Sequence, residues 1–114
     1  MKRTVTLYLQ DIWECILAIE EYSQSLTENE FIRNHLIQDA IIRRFEIMGE
    51  ATKNIDEKLR NEYPDIPWKK IAGMRDIFIH EYFGIQLKRV WNTIKEEIPV
   101  LKQKLALILK KENS

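Results

Sequence analysis

The sequence is poor in the residues that make tight turns, crosslinks and membrane spans. Glycine and proline occur only three times each, which disfavours a turn-rich β protein and favours long helices. The single cysteine, Cys15, excludes an internal disulfide and suits a reducing compartment. No apolar run approaches the roughly 20 residues needed to span a bilayer, and polar Thr4 and Thr6 interrupt any signal-peptide core. We therefore expect a cytoplasmic protein with no membrane contact.

The chain also lacks an excess of charge of either sign. It carries 18 basic and 18 acidic residues, so its formal net charge is zero. Nucleic-acid-binding domains often carry a basic excess because phosphate contacts supply much of their affinity. Any contact with RNA must therefore come from a local basic patch, and we expect no DNA binding.

Apolar residues recur at three- and four-residue steps in four segments, a pattern typical of amphipathic helices. The length suits one domain, so we predict that residues 1–114 form a single all-α domain, an antiparallel bundle of four to five helices. The polar tail, about residues 110–114, should be frayed. The segments cover about residues 4 to 23–27, 28–63 (opened by a Thr27–Glu30 capping box), 67–83, and 85 or 86 onward, continuing across Pro99 as one kinked helix or two collinear helices.

The second segment has an apolar surface wider than one neighbouring helix needs. One stripe includes Ile37, Ile41 and Phe45, and a second set beside it includes Ile32 and Leu36. We interpret one side as core and the other as a subunit interface; the alternative is a helix buried inside its own bundle.

The third segment contains the residues best suited to chemistry. Asp76 and His80 are four residues apart and share one face of an ideal helix, so the carboxylate can orient the imidazole. Arg75 precedes His80 by five residues and lies about 140° away around the helix, so the two converge only if the helix distorts, if Arg75 reaches around or if a partner subunit completes the site. Arginine can hold phosphate and histidine can act as acid or base. The alternative is an ordinary surface pair of Asp76 and His80.

These motifs occur in an order that resembles the HepT-like branch of HEPN proteins over nearly the whole chain. The residues that carry the resemblance are Asp-Ala-Ile-Ile-Arg (39–43), Glu-Ile-Met-Gly-Glu-Ala (46–51), Tyr-Pro-Asp-Ile-Pro-Trp (63–68), Ile-Ala-Gly-Met-Arg-Asp (71–76), His-Glu-Tyr-Phe-Gly (80–84), Val-Trp (90–91) and Ile-Pro (98–99).

The resemblance implies a homodimer with the Arg75-x4-His80 site in a cleft at its interface. It implies a metal-independent endoribonuclease toxin that needs no cofactor, with Asp76 orienting His80. It further implies that a cognate minimal nucleotidyltransferase antitoxin transfers AMP to Tyr82. The negative charge of the added adenylate would repel RNA. Packing at the helix end is the alternative role for Tyr82.

The other basic, aromatic and histidine side chains of the sequence are less specific signals. Arg43 and Arg44 are candidates for phosphate contacts, with ion pairs to Glu46 and Glu50 as the alternative. The three tryptophans at helical positions are expected to be core or interface anchors, His35 an ordinary helix residue, and Lys69 and Lys70 a solvated face. No zinc pattern is present. The alternative function is a non-catalytic dimer that binds a nucleotide or docks a nucleotidyltransferase. The zero net charge of the chain and the negative charge of Glu81 near the proposed cleft favour this alternative, because both disfavour RNA binding.

Overall fold

The computed structural model describes residues 4–74, 76 and 86–112. These residues contain helices joined by turns and no strand, so the prediction of an all-α fold is confirmed. None of the described helices combines the length and the apolar character that a membrane crossing requires. The order is α1 (Val5–Ser23), α2 (Glu28–Arg33), α3 (His35–Lys53), α4 (Glu57–Glu62), α5 (residues 68–74), α6 (Leu87–Asn92), a π-helical turn (Thr93–Glu97) and α7 (Ile98–Glu112).

Local side-chain caps fix the first two helix starts. The Thr4 hydroxyl accepts the N–H of Leu7 at 3.4 Å at the start of α1. At α2 the Thr27 hydroxyl accepts the N–H of Glu30 at 3.2 Å, and the Glu30 carboxylate accepts the N–H of Thr27 at 3.0 Å. Both bonds satisfy donors that have no partner within the helix. The predicted capping box is therefore confirmed.

The prediction of one continuous helix over residues 28–63 is wrong, and the first break falls at Asn34. This residue leaves the helical region with φ −105° and ψ 90°, and its side chain caps α3 by accepting the N–H of Ile37 at 3.0 Å. Gln38, only 1% exposed, donates to the carbonyls of Phe31 and Ile32 at 2.9 Å each. These bonds satisfy carbonyls at the end of α2 and make the break stable.

A second break separates α3 from α4 after Lys53. The Asp56 carboxylate accepts the N–H of Leu59 at 2.9 Å and so starts α4. The Arg60 side chain then reaches back, donating from Nε to the Ile55 carbonyl at 3.0 Å and from Nη2 to the Thr52 carbonyl at 2.7 Å. Arg60 thus adds side-chain donors to the Thr52 carbonyl near the end of α3 and to the Ile55 carbonyl in the turn after it.

Helical structure continues across Pro99, as the unbroken apolar spacing indicated. Pro99 has no N–H, and its ring would clash with the carbonyl of the preceding turn in a regular α-helix. The turn just before it is π-helical, and the N–H of Ile98 bonds to the Thr93 carbonyl five residues back. This wider turn accommodates the proline and links α6 to α7 without a gap in the helix.

The core forms where α1 packs along α3 and α7. The first apolar stripe of the broken second segment faces it, since Ile41, Phe45 and Met48 are fully buried. The second apolar set of that segment begins with Ile32 and Leu36, and these two side chains remain exposed, at 38% and 80%. The described chain therefore buries one side of this surface and leaves the other open. Other core residues are Leu9, Ile12, Ile16, Ile19, Ile98, Leu101, Leu105 and Ile108.

Candidate functional site

The predicted catalytic residues fall mostly outside the described part of the chain. Arg75, His80 and the predicted AMP acceptor Tyr82 are not among the described residues. Asp76 is described, and it is helical and exposed, which leaves its carboxylate accessible. The structure does define the elements on either side of the motif, and these fix how the chain enters and leaves it.

Helix α5 carries the chain into the motif, and buried side chains anchor its described part from Trp68 to Met74. Trp68, at its start, is 7% exposed, and its indole N–H is shared between the carbonyls of Arg60 at 3.2 Å and Tyr63 at 3.0 Å. Ile71 and Met74 are 1% and 4% exposed and pack into the core. The last residue before Arg75 is therefore held by the interior of the fold.

Helix α6 resumes the described chain after the motif and is equally well anchored. Val90 is fully buried and Trp91 is 8% exposed. The Trp91 ring lies 5.3 Å from the Phe31 ring, between centroids, and the Lys95 ammonium lies 4.6 Å from the Trp91 ring centroid. Burial of Trp68 and Trp91 confirms their predicted role as core anchors.

The two flanks of the motif contact each other. Lys70 of α5 forms an ion pair with Glu97 of the π-helical turn. A cavity of about 120 Å³ lies beside this pair, and Met74 and Arg89 both line it. The elements before and after residues 75–85 are therefore joined directly, which constrains where the motif begins and ends.

Arg43 and Arg44 are held by different surroundings. Arg43 is 69% exposed and lies 3.6 Å from the Glu46 carboxylate, so the ion pair considered from the sequence is present. Arg44 is half-buried, and its hydrogen bond to Tyr22, with a weaker one to Cys15, raises the pKa of its guanidinium above the ordinary value. Arg44 thus ties α3 to α1. A role for either arginine in phosphate binding stays a prediction.

The groove next to Arg43 is acidic. It lies between α1 and α3, has a volume of about 430 Å³, and is lined by the carboxylates of Asp11, Glu46 and Glu50. Within the described residues no group of three or more His, Cys, Asp or Glu side chains is placed to hold a metal ion. Arg43 also lines this groove and pairs with Glu46, so the three carboxylates exceed the positive charge in its lining by two and make it a poor surface for a phosphate substrate.

Most of the chain on both sides of Arg75 and His80 matches one protein family. The model of that family, ribonuclease HepT-like, matches residues 12–108. The chain belongs to the HepT-like ribonuclease family. The resemblance stated from the motifs is thereby confirmed, and so is the assignment to a family of ribonucleases.

Three relatives illustrate the HepT-like match. "Probable ribonuclease HepT" of Thermococcus cleftensis is 44% identical over 110 residues, which is 96% of this chain and 100% of that protein. "Putative RNase" of Methanocaldococcus jannaschii is 39% identical over 107 residues, or 94% of this chain and 98% of that protein. "Gamma-glutamylcyclotransferase and putative RNase" of the same organism is 46% identical over 109 residues; the match covers 96% of this chain, which spans about half (49%) of that relative. No solved structure gives a significant match.

Sequence reasoning missed the surface next to the start of α5. The exposed Lys69 and Lys70 form the solvated helix face that the sequence predicts, and in addition both line a groove together with Arg60. The only signal in the sequence was their position shortly before the motif of this HepT-like chain. That signal says nothing of Arg60, which reaches the same groove from another helix.

Proposed function

We propose that this chain is a metal-independent endoribonuclease toxin whose active site contains Arg75 and His80. The observation that carries the proposal is the Arg75-x4-His80-x-Tyr82 motif, in its ordered sequence context, within a chain of the HepT-like ribonuclease family. RNA cleavage by its own 2′-hydroxyl needs a base, an acid and a cation near the phosphate, and histidine and arginine are suited to these roles.

In this reaction the 2′-oxygen of the ribose attacks the adjacent phosphorus and the bond to the 5′-oxygen breaks. One imidazole accepts the 2′-hydroxyl proton, and a second acid donates a proton to the leaving 5′-oxygen. Arg75 neutralises the charge that develops on the phosphorane oxygens. Asp76 orients His80 as a positioning residue. The products are a 2′,3′-cyclic phosphate and a 5′-hydroxyl.

A homodimer would supply the second imidazole. The chain has only two histidines, and His35 begins α3 on the exposed surface. The apolar surface left open around Ile32 and Leu36 supports a subunit interface on α2 and α3. We propose that two copies pack there and bring both His80 residues to one cleft.

The cleavage test compares the two histidines directly. We expect the wild type to cut single-stranded RNA in the presence of EDTA, and we expect His80→Ala to lower the rate by at least about 100-fold. His35→Ala is the matched control and should retain the wild-type rate. Equal cleavage by the wild type and His80→Ala, or a rate that requires added magnesium, would contradict the proposal.

The dimer test compares two exposed leucines. Leu36→Glu places a charge on the proposed interface and should shift the protein to monomer in light-scattering measurements, with loss of cleavage. Leu107→Glu on α7, where the leucine is 71% exposed, should leave the dimer intact. Dissociation by Leu107→Glu alone would place the interface elsewhere.

The proposed regulation is transfer of AMP to Tyr82 by a cognate minimal nucleotidyltransferase antitoxin. After co-expression with a nucleotidyltransferase encoded beside this chain, intact-mass analysis should show the mass of one or more adenylates on the wild type. Tyr82→Phe should remove that mass, whereas Tyr63→Phe should keep it. An unmodified wild-type chain would count against the modification.

The second candidate function is a non-catalytic dimer that docks the nucleotidyltransferase. The groove between α1 and α3 favours it, because its three carboxylates outnumber its one lining cation, Arg43, and a net negative surface suits a basic protein better than RNA. Tight binding of the nucleotidyltransferase by a wild type that cuts no RNA would support this candidate over the first.

A further inference from the structure

The groove between α4 and the start of α5 has a basic lining. It has a volume of about 720 Å³, and its cations are Arg60, Lys69 and Lys70. Neutral residues, among them Asn61 and the two prolines Pro64 and Pro67, complete the lining. Among the described residues that line it there is no carboxylate. In a chain with zero net charge, such a surface is a local concentration of positive charge.

Nearby carboxylates point to other surfaces. Glu62, the last residue of α4, and Asp65 in the turn after it line a neighbouring groove of about 230 Å³ against α7, which shares Pro64 and Ile66 with the basic groove. Glu97, the ion-pair partner of Lys70, lines the cavity of about 120 Å³ beside Met74. The carboxylates nearest to the basic groove therefore line other surfaces, where Glu62 and Asp65 lie beside Lys104 and Lys111, and none of them is among the described residues that line the basic groove.

The three cations are available to different degrees. Arg60 uses two donors on backbone carbonyls, which fix its position but do not cancel its charge. Lys70 shares its charge with Glu97. Lys69 is exposed and forms no ion pair or hydrogen bond with any residue that the structure describes. Lys69 is therefore the group best placed to bind an anion.

We propose that this groove binds the phosphodiester backbone of single-stranded RNA that extends from the cleavage site, an inference that rests on the proposed ribonuclease function. Lys69 lies five residues before Met74, the last described residue ahead of Arg75. At a rise of about 1.5 Å per helical residue this separation is about 7.5 Å along the axis, a distance that about two stacked nucleotides span. Lys69 would contact a phosphate outside the scissile one.

The composition of the groove favours RNA over an acidic protein segment. Protein interfaces are usually anchored by large apolar or aromatic side chains that enter pockets of the partner. The large apolar residues here, Ile66 and Trp68, are 3% and 7% exposed and belong to the core. What remains accessible is charge and small neutral surface, which suits a regularly charged backbone read without sequence preference.

The test measures binding separately from cleavage. Fluorescence anisotropy of a labelled oligouridylate of about 12 nucleotides is recorded on the His80→Ala background, so that the RNA stays intact. Lys69→Gln should weaken binding about fivefold and lower the slope of log affinity against log salt by about one. Lys69→Arg should restore both values. Lys58→Gln removes the same charge from α4 outside the groove and should change affinity less than about twofold.

Three outcomes would overturn the inference: equal binding by Lys69→Gln and its parent, an unchanged salt slope, or an equal loss of affinity for Lys58→Gln. A polyglutamate peptide that competes as well as RNA and depends equally on Lys69 would assign the groove to an acidic protein instead. Cleavage of a dinucleotide, which is too short to reach Lys69, is compared between the wild type and His80→Ala. Dinucleotide cleavage depends on the ribonuclease site alone. Loss of the ribonuclease proposal would show in this cleavage assay, whereas loss of the groove proposal would show only in the binding assay.

Discussion

Replacement of Trp68 by phenylalanine should loosen the entry to the motif. The indole lies at the first residue of α5 and is 7% exposed. Its N–H is shared between the carbonyls of Arg60 and Tyr63 at 3.2 and 3.0 Å, so one donor ties α5 to the end of α4 and to the turn after it. Phenylalanine keeps an aromatic ring but has no donor and a smaller volume.

The expected loss follows from these two changes. The Arg60 and Tyr63 carbonyls keep backbone donors, the N–H of Tyr63 at 3.3 Å and the N–H of Ile66 at 3.2 Å, so loss of the indole bond costs only about 1 kcal/mol. Shrinking a nearly buried indole to a phenyl ring leaves a small cavity that costs about 1–2 kcal/mol more. The free energy of unfolding should therefore fall by about 2–3 kcal/mol. At about 4 °C per kcal/mol this lowers the Tm by about 8–12 °C.

Urea unfolding followed by circular dichroism, at one fixed protein concentration because a dimer would make stability concentration-dependent, measures this loss. Trp13→Phe is the matched control, since Trp13 of α1 is half-buried and should cost less than about 1 kcal/mol. Under the proposed function, Trp68→Phe should also slow RNA cleavage at a temperature where the variant is folded. A Trp68→Phe protein within about 0.5 kcal/mol of the wild type would refute the claim that this bond anchors α5.

Other changes test the remaining local features. Gln38→Leu removes the side-chain donor from the Phe31 and Ile32 carbonyls, of which the Phe31 carbonyl keeps the N–H of Asn34 at 3.1 Å, and should cost about 1–3 kcal/mol. Exposed Gln103→Leu should stay within about 0.5 kcal/mol, and thermal unfolding compares the two variants. Hydrogen bonding, chiefly from the backbone N–H of Thr27, lowers the pKa of the Glu30 carboxyl. The stabilisation from this carboxylate is therefore present above its unfolded-state pKa and is lost as pH falls through the lowered pKa; an acid titration in which Glu30→Gln loses stability as steeply as the wild type would contradict this. Burial raises the pKa of the Cys15 thiol, so Cys15 should react slowly with a disulfide reagent at pH about 8 until urea unfolds the chain.

The family and the helical class were predictable because the signals are local. The Thr27–Glu30 capping box joins residues three apart, and the apolar spacing across Pro99 indicated continuity that the π-helical turn provides. The ordered motifs around Arg75 and His80 predicted the HepT-like family before any contact was known. Such features depend on residues within one or two turns of each other.

Tertiary structure decided what depends on more distant partners. Helix propensity alone favours a continuous helix over 28–63, but Gln38 reaches back to the Phe31 carbonyl and Arg60 to the Thr52 carbonyl, and these bonds stabilise the two breaks. Helix packing likewise determines which part of the wide apolar surface stays exposed. It also brings Lys70 to Glu97, 27 residues away in the sequence. The basic groove exists because packing places Arg60 of α4 beside Lys69 of α5, whereas Glu62 and Asp65 line the neighbouring groove together with Lys104 and Lys111. The sequence determined the helices and the motif; packing decided which charges share a surface, since that depends on distances between side chains far apart in the chain.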